Sequence, residues 1–227
     1  MAYALIAQVG AVGTNPTTSS INTTGADLLL VFSGAINASE TISDSKSNSW
    51  TDLTVAGSTL TGRISYSRGG TVGSGHTFTA TSGVNGGLIV MAFSGSVASP
   101  VAAGTDTVGN TASGTSQGSG SITPPETDCL VVSGMTYNVA PNGVGVPSGF
   151  TVPSGASIDA VNAVSFGYYF AYEIQTAIVT RSPTWTLDTS ASFMSVASVI
   201  FKDTGTGGGG SNWGPMLGQQ LNRIVQG

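Results

Sequence analysis

The chain has 227 residues but only 6 lysines plus arginines and 11 aspartates plus glutamates, a charged fraction of 7% where ordinary soluble domains carry about 25%. A net charge of −5 and so few cations argue against a nucleic-acid partner, which needs positive side chains to neutralise phosphates. Hydrophobic residues reach 40%, so the chain is unlike a disordered one and is expected to fold with a Ser-, Thr-, Asn- and Gly-covered surface.

No apolar run approaches the roughly 20 residues that span a bilayer. Met1-Ala2-Tyr3-Ala4 lacks the basic start of a secretory signal, so synthesis in the cytoplasm without a leader is expected. The single cysteine, Cys129, rules out an intrachain disulfide, and its neighbours Leu130 and Val131 predict a buried structural thiol.

In chain order, residues 3–12 form an apolar segment without helix caps and are predicted to be a strand, ended by a turn at Asn15-Pro16. Leu28 to Phe32 is a continuous apolar run between Gly25 and Gly34, the pattern of a strand covered on both faces. Ser43 to Ser49 reads as a hairpin loop joining Thr41-Ile42 to a strand from Trp50 to Val55. In Arg63 to Arg68, Ile64 and Tyr66 alternate with Arg63, Ser65 and Ser67, which predicts a half-buried antiparallel strand. His76 to Thr81 and Leu88 to Phe93 are predicted to pair around the turn at Gly83 to Gly87.

A stretch then recurs. Ser20, Ile21, Asp27, Leu29 and Val31 reappear 101 residues later as Ser121, Ile122, Asp128, Leu130 and Val132. The repeat predicts a strand within the polar stretch 98–121, which otherwise reads as a linker. It also aligns Phe150-Thr151-Val152 with Trp50-Thr51-Asp52, Ala163–Glu173 with the Arg63 strand, Pro183–Thr186 with His76–Thr79, and Phe193–Phe201 with Leu88–Phe93.

Short strands with turn signals every 8 to 12 residues and no helix in the body indicate an all-β fold. The expectation is an antiparallel β-sandwich, jelly-roll-like, built from two similar halves in one domain over 1–203 (about 1–101 and 102–203). Two sequential immunoglobulin-like domains are the alternative. Residues 204–210 form a Gly-rich tether. The C-terminal segment 211–227 is predicted to carry a short helix, with Leu217, Leu221 and Ile224 on one face and Met216 and Val225 beside them. A helix of about 12 residues is marginal alone and needs a surface to lie on.

Chemical motifs are scarce. His76 is the only histidine, which starves a zinc site of ligands and leaves a serine triad with one candidate base and no Gly-x-Ser-x-Gly elbow. Asp44-x-Lys46-x-Asn48 has the alternation of a calcium loop but a lysine at its middle. Asp27 and Asp128 are expected to accept backbone N–H bonds before their strands. Glu40, Glu126 and Glu173 are the only glutamates and could supply a glycosidase pair, but no metal, cofactor or enzymatic activity is expected.

Ile42 to Thr51, Gly73 to Thr79 and Ala92-Phe93-Ser94-Gly95 together resemble β-sandwich proteins of bacteriophage virions and bacterial surfaces. The resemblance covers most of residues 20–203, implies a structural role outside the cell or on a particle, and carries over no catalytic residue. It suits a capsid decoration, or cement, protein located on the virion and bound to the major capsid protein or other virion subunits. Such a protein would be a homo-oligomer, with a trimer as one option, and would have no nucleic-acid or membrane partner. Its attachment would run through Trp213, Met216, Leu217, Leu221, Ile224 and Val225. The alternative is a phage fibre or bacterial adhesin domain that binds cell-surface carbohydrate through Tyr168, Tyr169, Tyr172 or Trp185.

Overall fold

The computed structural model describes residues 3–38, 40–139, 143–158 and 166–203, and among these every regular element is a strand. The fold is all-β, with antiparallel sheets packed in layers as in a sandwich. The expected tether, helix and attachment residues Trp213, Met216, Leu217, Leu221, Ile224 and Val225 lie outside the described residues, as do Ala163 to Ser165 of the predicted aromatic strand.

The first half builds a five-stranded sheet around the apolar run. Its order is β1 (Ala4–Thr14), β7 (Asn85–Ser94), β2 (Leu28–Ala35), β5 (Arg63–Arg68) and β4 (Thr51–Asp52). A second sheet pairs β3 (Thr41–Asp44) with β6 (Phe78–Thr81). Every residue of β2 is buried, because successive side chains of a strand point to opposite faces and both faces are covered. Leu29 and Val31 pack with Phe78 and Ala80 beneath the β3–β6 layer. Leu28, Leu30 and Phe32 face the other way, into the second half.

The second half contributes β8 (Ser96–Val101), β9 (Thr107–Thr111), β10 (Gly114–Gly118), β11 (Cys129–Tyr137), β12 (Val144–Gly145), β13 (Ser157–Ile158), β14 (Gly167–Gln175), β15 (Thr184–Ala191) and β16 (Met194–Asp203). One sheet runs β13-β14-β11-β16-β8, with β9 also paired to β16, and another runs β10-β15-β12. The two large sheets meet face to face. Leu28, Phe32, Met91 and Phe93 share one core with Leu130, Phe170, Val199 and Phe201. Across this seam Phe32 lies 5.7 Å from Phe170, Tyr66 5.7 Å from Phe201, and Phe93 5.3 Å from Tyr172 between ring centroids. On the far side, Trp185 and Leu187 of β15 close over Met135, Ala171 and Val196. Four layers result.

Several pairings recur with first partners 100 or 101 residues apart, near the spacing of the sequence repeat, and second partners 105 to 107 apart. Ile21 bridges His76, and Ile122 bridges Arg181. Leu28 pairs with Arg68, and Cys129 with Gln175. Thr51 pairs with Tyr66, and Thr151 bridges Tyr172. The polar stretch 98–121 holds parts of β8, β9 and β10 rather than a linker.

Four expectations are corrected. Residues 43–49 do not close a hairpin, since β3 pairs with β6 while β4 pairs with β5 in the other layer. For the same reason β6 and β7, though consecutive, belong to different sheets. The polar face of β5 is not wet: Arg63, Ser65 and Ser67 are buried, with Arg63 Nη1 on Asp52 Oδ2 at 3.0 Å and Ser65 Oγ on Asp52 Oδ1 at 2.6 Å. Finally, the Ile122–Arg181 bridge puts Arg181 where Pro183 was aligned with His76, a two-residue offset. That slip preserves every inward-facing position, because the strand period is two.

Candidate functional site

The densest polar constellation is built from three segments that the layering brings together: the turn before β2, the loop leaving β3 and the approach to β6. Asp44 Oδ1 accepts the Lys46 amide at 2.8 Å, as its Asx-turn spacing predicts. It also takes His76 Nε2 at 3.1 Å and Asn48 Nδ2 at 3.3 Å. Asp44 Oδ2 accepts the Trp50 indole N–H at 2.8 Å. On the other side of the ring, His76 Nδ1 and the Thr23 hydroxyl share a hydrogen bond of 2.9 Å. The Thr23 oxygen in turn receives the Gly73 amide at 3.0 Å. The His76 ring stacks on Phe78 at 4.2 Å.

Hydroxyl, imidazole and carboxylate in this order reproduce the connectivity of a nucleophilic triad. Access decides against that use: the Asp44 and His76 side chains and Thr23 are all 0% exposed. The arrangement is a clasp that fastens three loops. Burial alone would push the Asp44 carboxyl up, but the Lys46 amide, His76, Trp50 and the Asn48 amide together hold it below its ordinary value. The same bonds occupy both Asp44 oxygens, so the Asp44-x-Lys46-x-Asn48 spacing serves a turn. Among the described residues no group of three or more His, Cys, Asp or Glu side chains forms a metal cluster.

Of the remaining carboxylates, Glu173 and Asp27 also carry structural bonds. Glu173 forms a two-pronged ion pair with Arg181, Nε to Oε2 at 2.7 Å and Nη2 to Oε1 at 2.5 Å. Glu126 offers its carbonyl to the Cys129 thiol at 3.4 Å, and burial pushes that thiol up to about 11, away from reactivity. Asp27 accepts the amides of Gly95 and Ser96 at 3.2 and 3.0 Å, in the turn between β7 and β8 rather than its own. Asp128 takes the left-handed conformation at φ 62°.

The aromatic residues considered for sugar stacking are divided between two cores. Trp185 is 0% exposed, and its indole N–H donates to Ser133 Oγ at 2.9 Å, extending a buried chain through Ser198 to Ser119. Tyr168 is 2% exposed in the seam, where Gly87 leaves room for its ring. These two present no face to a ligand, which corrects their assignment. Tyr172 is half-buried against Phe93, and Tyr169 is half-buried on the opposite side against Trp185.

Among the described residues, Glu40 is a buried carboxyl with an oxygen left without a hydrogen bond. It is 3% exposed, and its Oε1 has no partner among the described residues. Burial pushes it up to about 7, against a partial offset from its own backbone amide and the Arg63 charge. A carboxyl whose folded value exceeds the unfolded value of 4.5 binds its proton more tightly in the folded state. Its contribution is therefore complete below 4.5 and is lost as pH rises through about 7. The expected loss is about 3 kcal/mol. Urea denaturation at pH 5 and pH 8 should show it, and Glu40→Gln should flatten the difference; an equal pH dependence in the variant would contradict this.

Comparison with protein-family models, curated proteins and solved structures returns no match.

Proposed function

We propose that the chain is a duplicated jelly-roll sandwich acting as a non-enzymatic structural subunit of a bacteriophage virion. In this reading it is a capsid decoration protein that attaches to the major capsid protein and stabilises the shell. The observation that carries it is a layered body whose His76, Asp44 and Glu173 are each committed to bonds that fasten loops and strands. Strand order supports the finer fold assignment. In the first half β1-β7-β2-β5 lies against a layer in which Thr17 and Ile21 bridge the strand containing β6, which pairs with β3. In the second, β9-β16-β11-β14 lies against β10-β15-β12. Jelly rolls of this interleaved order recur in capsid and lectin domains, and the step from that order to a virion is an analogy of fold.

Attachment is assigned to the segment after the Gly-rich tether, through Trp213, Met216, Leu217, Leu221, Ile224 and Val225. Each apolar side chain buried there contributes about 1.5 to 3 kcal/mol before ordering costs. Symmetric repetition on a shell turns a modest contact into firm attachment. The test keeps the full chain and replaces Leu217, Leu221 and Ile224 with aspartate. Co-sedimentation with undecorated shells should fall at least about tenfold, a change of about 1.4 kcal/mol, with the melting temperature unchanged. Undiminished association would overturn the assignment. The adhesin alternative loses Tyr168 and Trp185 as stacking faces and would need other residues.

A further inference from the structure

A cleft of about 390 Å³ opens at the seam between the halves, a volume at the small end of the range for ligand sites. One wall is the β4–β5 edge of the first large sheet, contributing Ser49, Thr51, Tyr66 and Arg68; the other is β8, contributing Ser99 and Pro100. Tyr66 and Arg68 are two residues apart on β5 and share a face. That face begins in the core at Ile64, 1% exposed, and ends half-buried at Tyr66 and Arg68, where the cleft forms. The Tyr66 ring is braced edge-on by Phe201 from the opposite sheet.

Arg68 is the unusual member. Arg63 has Asp52 and Arg181 has Glu173, but no carboxylate pairs with Arg68 among the described residues. Its Nη2 donates to the Ser96 carbonyl, which fixes the guanidinium at the cleft wall. Its Nε is buried without a hydrogen-bond partner. A half-buried guanidinium that forms no ion pair keeps donors free for an anion, and the chain has only six lysines and arginines in all. The balancing anion can come from solution.

We propose that this cleft binds the carboxylate-bearing sugar of an acidic glycan, with the carboxylate on Arg68, the ring against Tyr66 and the sugar hydroxyls among Ser49, Thr51 and Ser99. A planar guanidinium suits a carboxylate. An aromatic wall beside several hydroxyls suits a ring that is apolar on its face and polar at its edge. Ser49, Thr51 and Ser99 are exposed, so their hydroxyls are free to exchange water for ligand. The inference rests on the cleft alone. Its failure leaves the particle assignment standing, and loss of particle binding leaves the cleft intact.

The experiment titrates the ¹⁵N-labelled full chain with D-glucuronate, using D-glucose and acetate as controls. Amide shifts should saturate around residues 49–51, 66–68 and 98–101, with glucose and acetate at least about tenfold weaker. Arg68→Gln should weaken glucuronate binding by at least about tenfold and leave distant resonances in place. Should Arg68→Gln fold poorly, Thr51→Val and Ser99→Val at exposed rim positions supply the same test, and each should weaken binding severalfold. Absence of saturable shifts, shifts centred elsewhere, acetate binding as tightly as glucuronate, or binding indifferent to these substitutions would each overturn the proposal.

Discussion

Replacing Asp44 with alanine is expected to remove about 3 to 5 kcal/mol of folding stability, the usual consequence of stripping one partner from a buried charged cluster. The carboxylate satisfies the Lys46 amide, the Trp50 indole and His76 Nε2 at once. Without it, buried donors are left unpaired. For a chain of this length such a loss lowers the melting temperature by about 6 to 20 °C. His76→Ala should lose a comparable amount, since it also removes the ring stacked on Phe78, and the double variant should fall well short of the sum. Acid should act in the same direction. Asp44 is held below 3.8 in the folded state, so its contribution is present above that value and disappears as pH falls through the folded one. Calorimetry of the single and double variants checks the claim; additive losses would show that Asp44 and His76 do not act as a unit.

Gly134→Ala is the second large effect. Gly134 sits in β11 where Phe32 of the opposite sheet presses on the backbone, and a Cβ there would meet the aromatic ring, with Cε2 only 2.6 Å away. Phe32 is 0% exposed and packed on Phe170, so it has little room to retreat. Overpacking of this kind costs about 1 to 3 kcal/mol. Gly87 stands in the same relation to Tyr168, whose Cδ2 a Cβ would approach to 2.6 Å. The glycines therefore set how closely the two halves approach. Phe32→Leu should be destabilising alone yet partly restore Gly134→Ala, a coupling that denaturant titration of the double-mutant cycle detects. A neutral Gly134→Ala would mean that the seam is looser than its geometry indicates.

The legible parts of the fold were those fixed by local pattern. The run Leu28 to Phe32 announced a strand buried on both faces because no residue in it tolerates water, and its counterpart from Cys129 behaves alike. The repeated Ile21 and Ile122 marked equivalent bridges. What a pattern cannot carry is the choice of layer. The loop 43–49 has the composition of a hairpin, yet β4 finds its partner across the fold in β5. Alternation in Arg63–Arg68 suggested a wet face, but Asp52 and the segment around Glu40 cover it. Alternation in the aromatic run from Tyr168 to Tyr172 reads as core and surface positions on a strand, but both faces are covered: Tyr168, Phe170 and Tyr172 enter one core and Tyr169 another.

The clasp was hidden for a related reason. Thr23, Asp44 and His76 are 21 and 32 residues apart in sequence, and only the packing of three loops makes them neighbours. The Asx-turn signal at Asp44 was readable, but nothing local ties it to the lone histidine. Arg68 closes the face of Ile64 and Tyr66 on an alternating strand, and nothing in that pattern marks it; only the folded chain shows it beside a cleft and without an ion pair among the described residues.

Cryo-electron microscopy of purified particles, with this chain located by a specific antibody fragment, tests the structural role most directly. The proposal predicts the layered body at symmetry-related positions on the outer shell, joined to the major capsid protein through the segment beyond residue 210. Particles that carry no copy of the chain on the shell would contradict it.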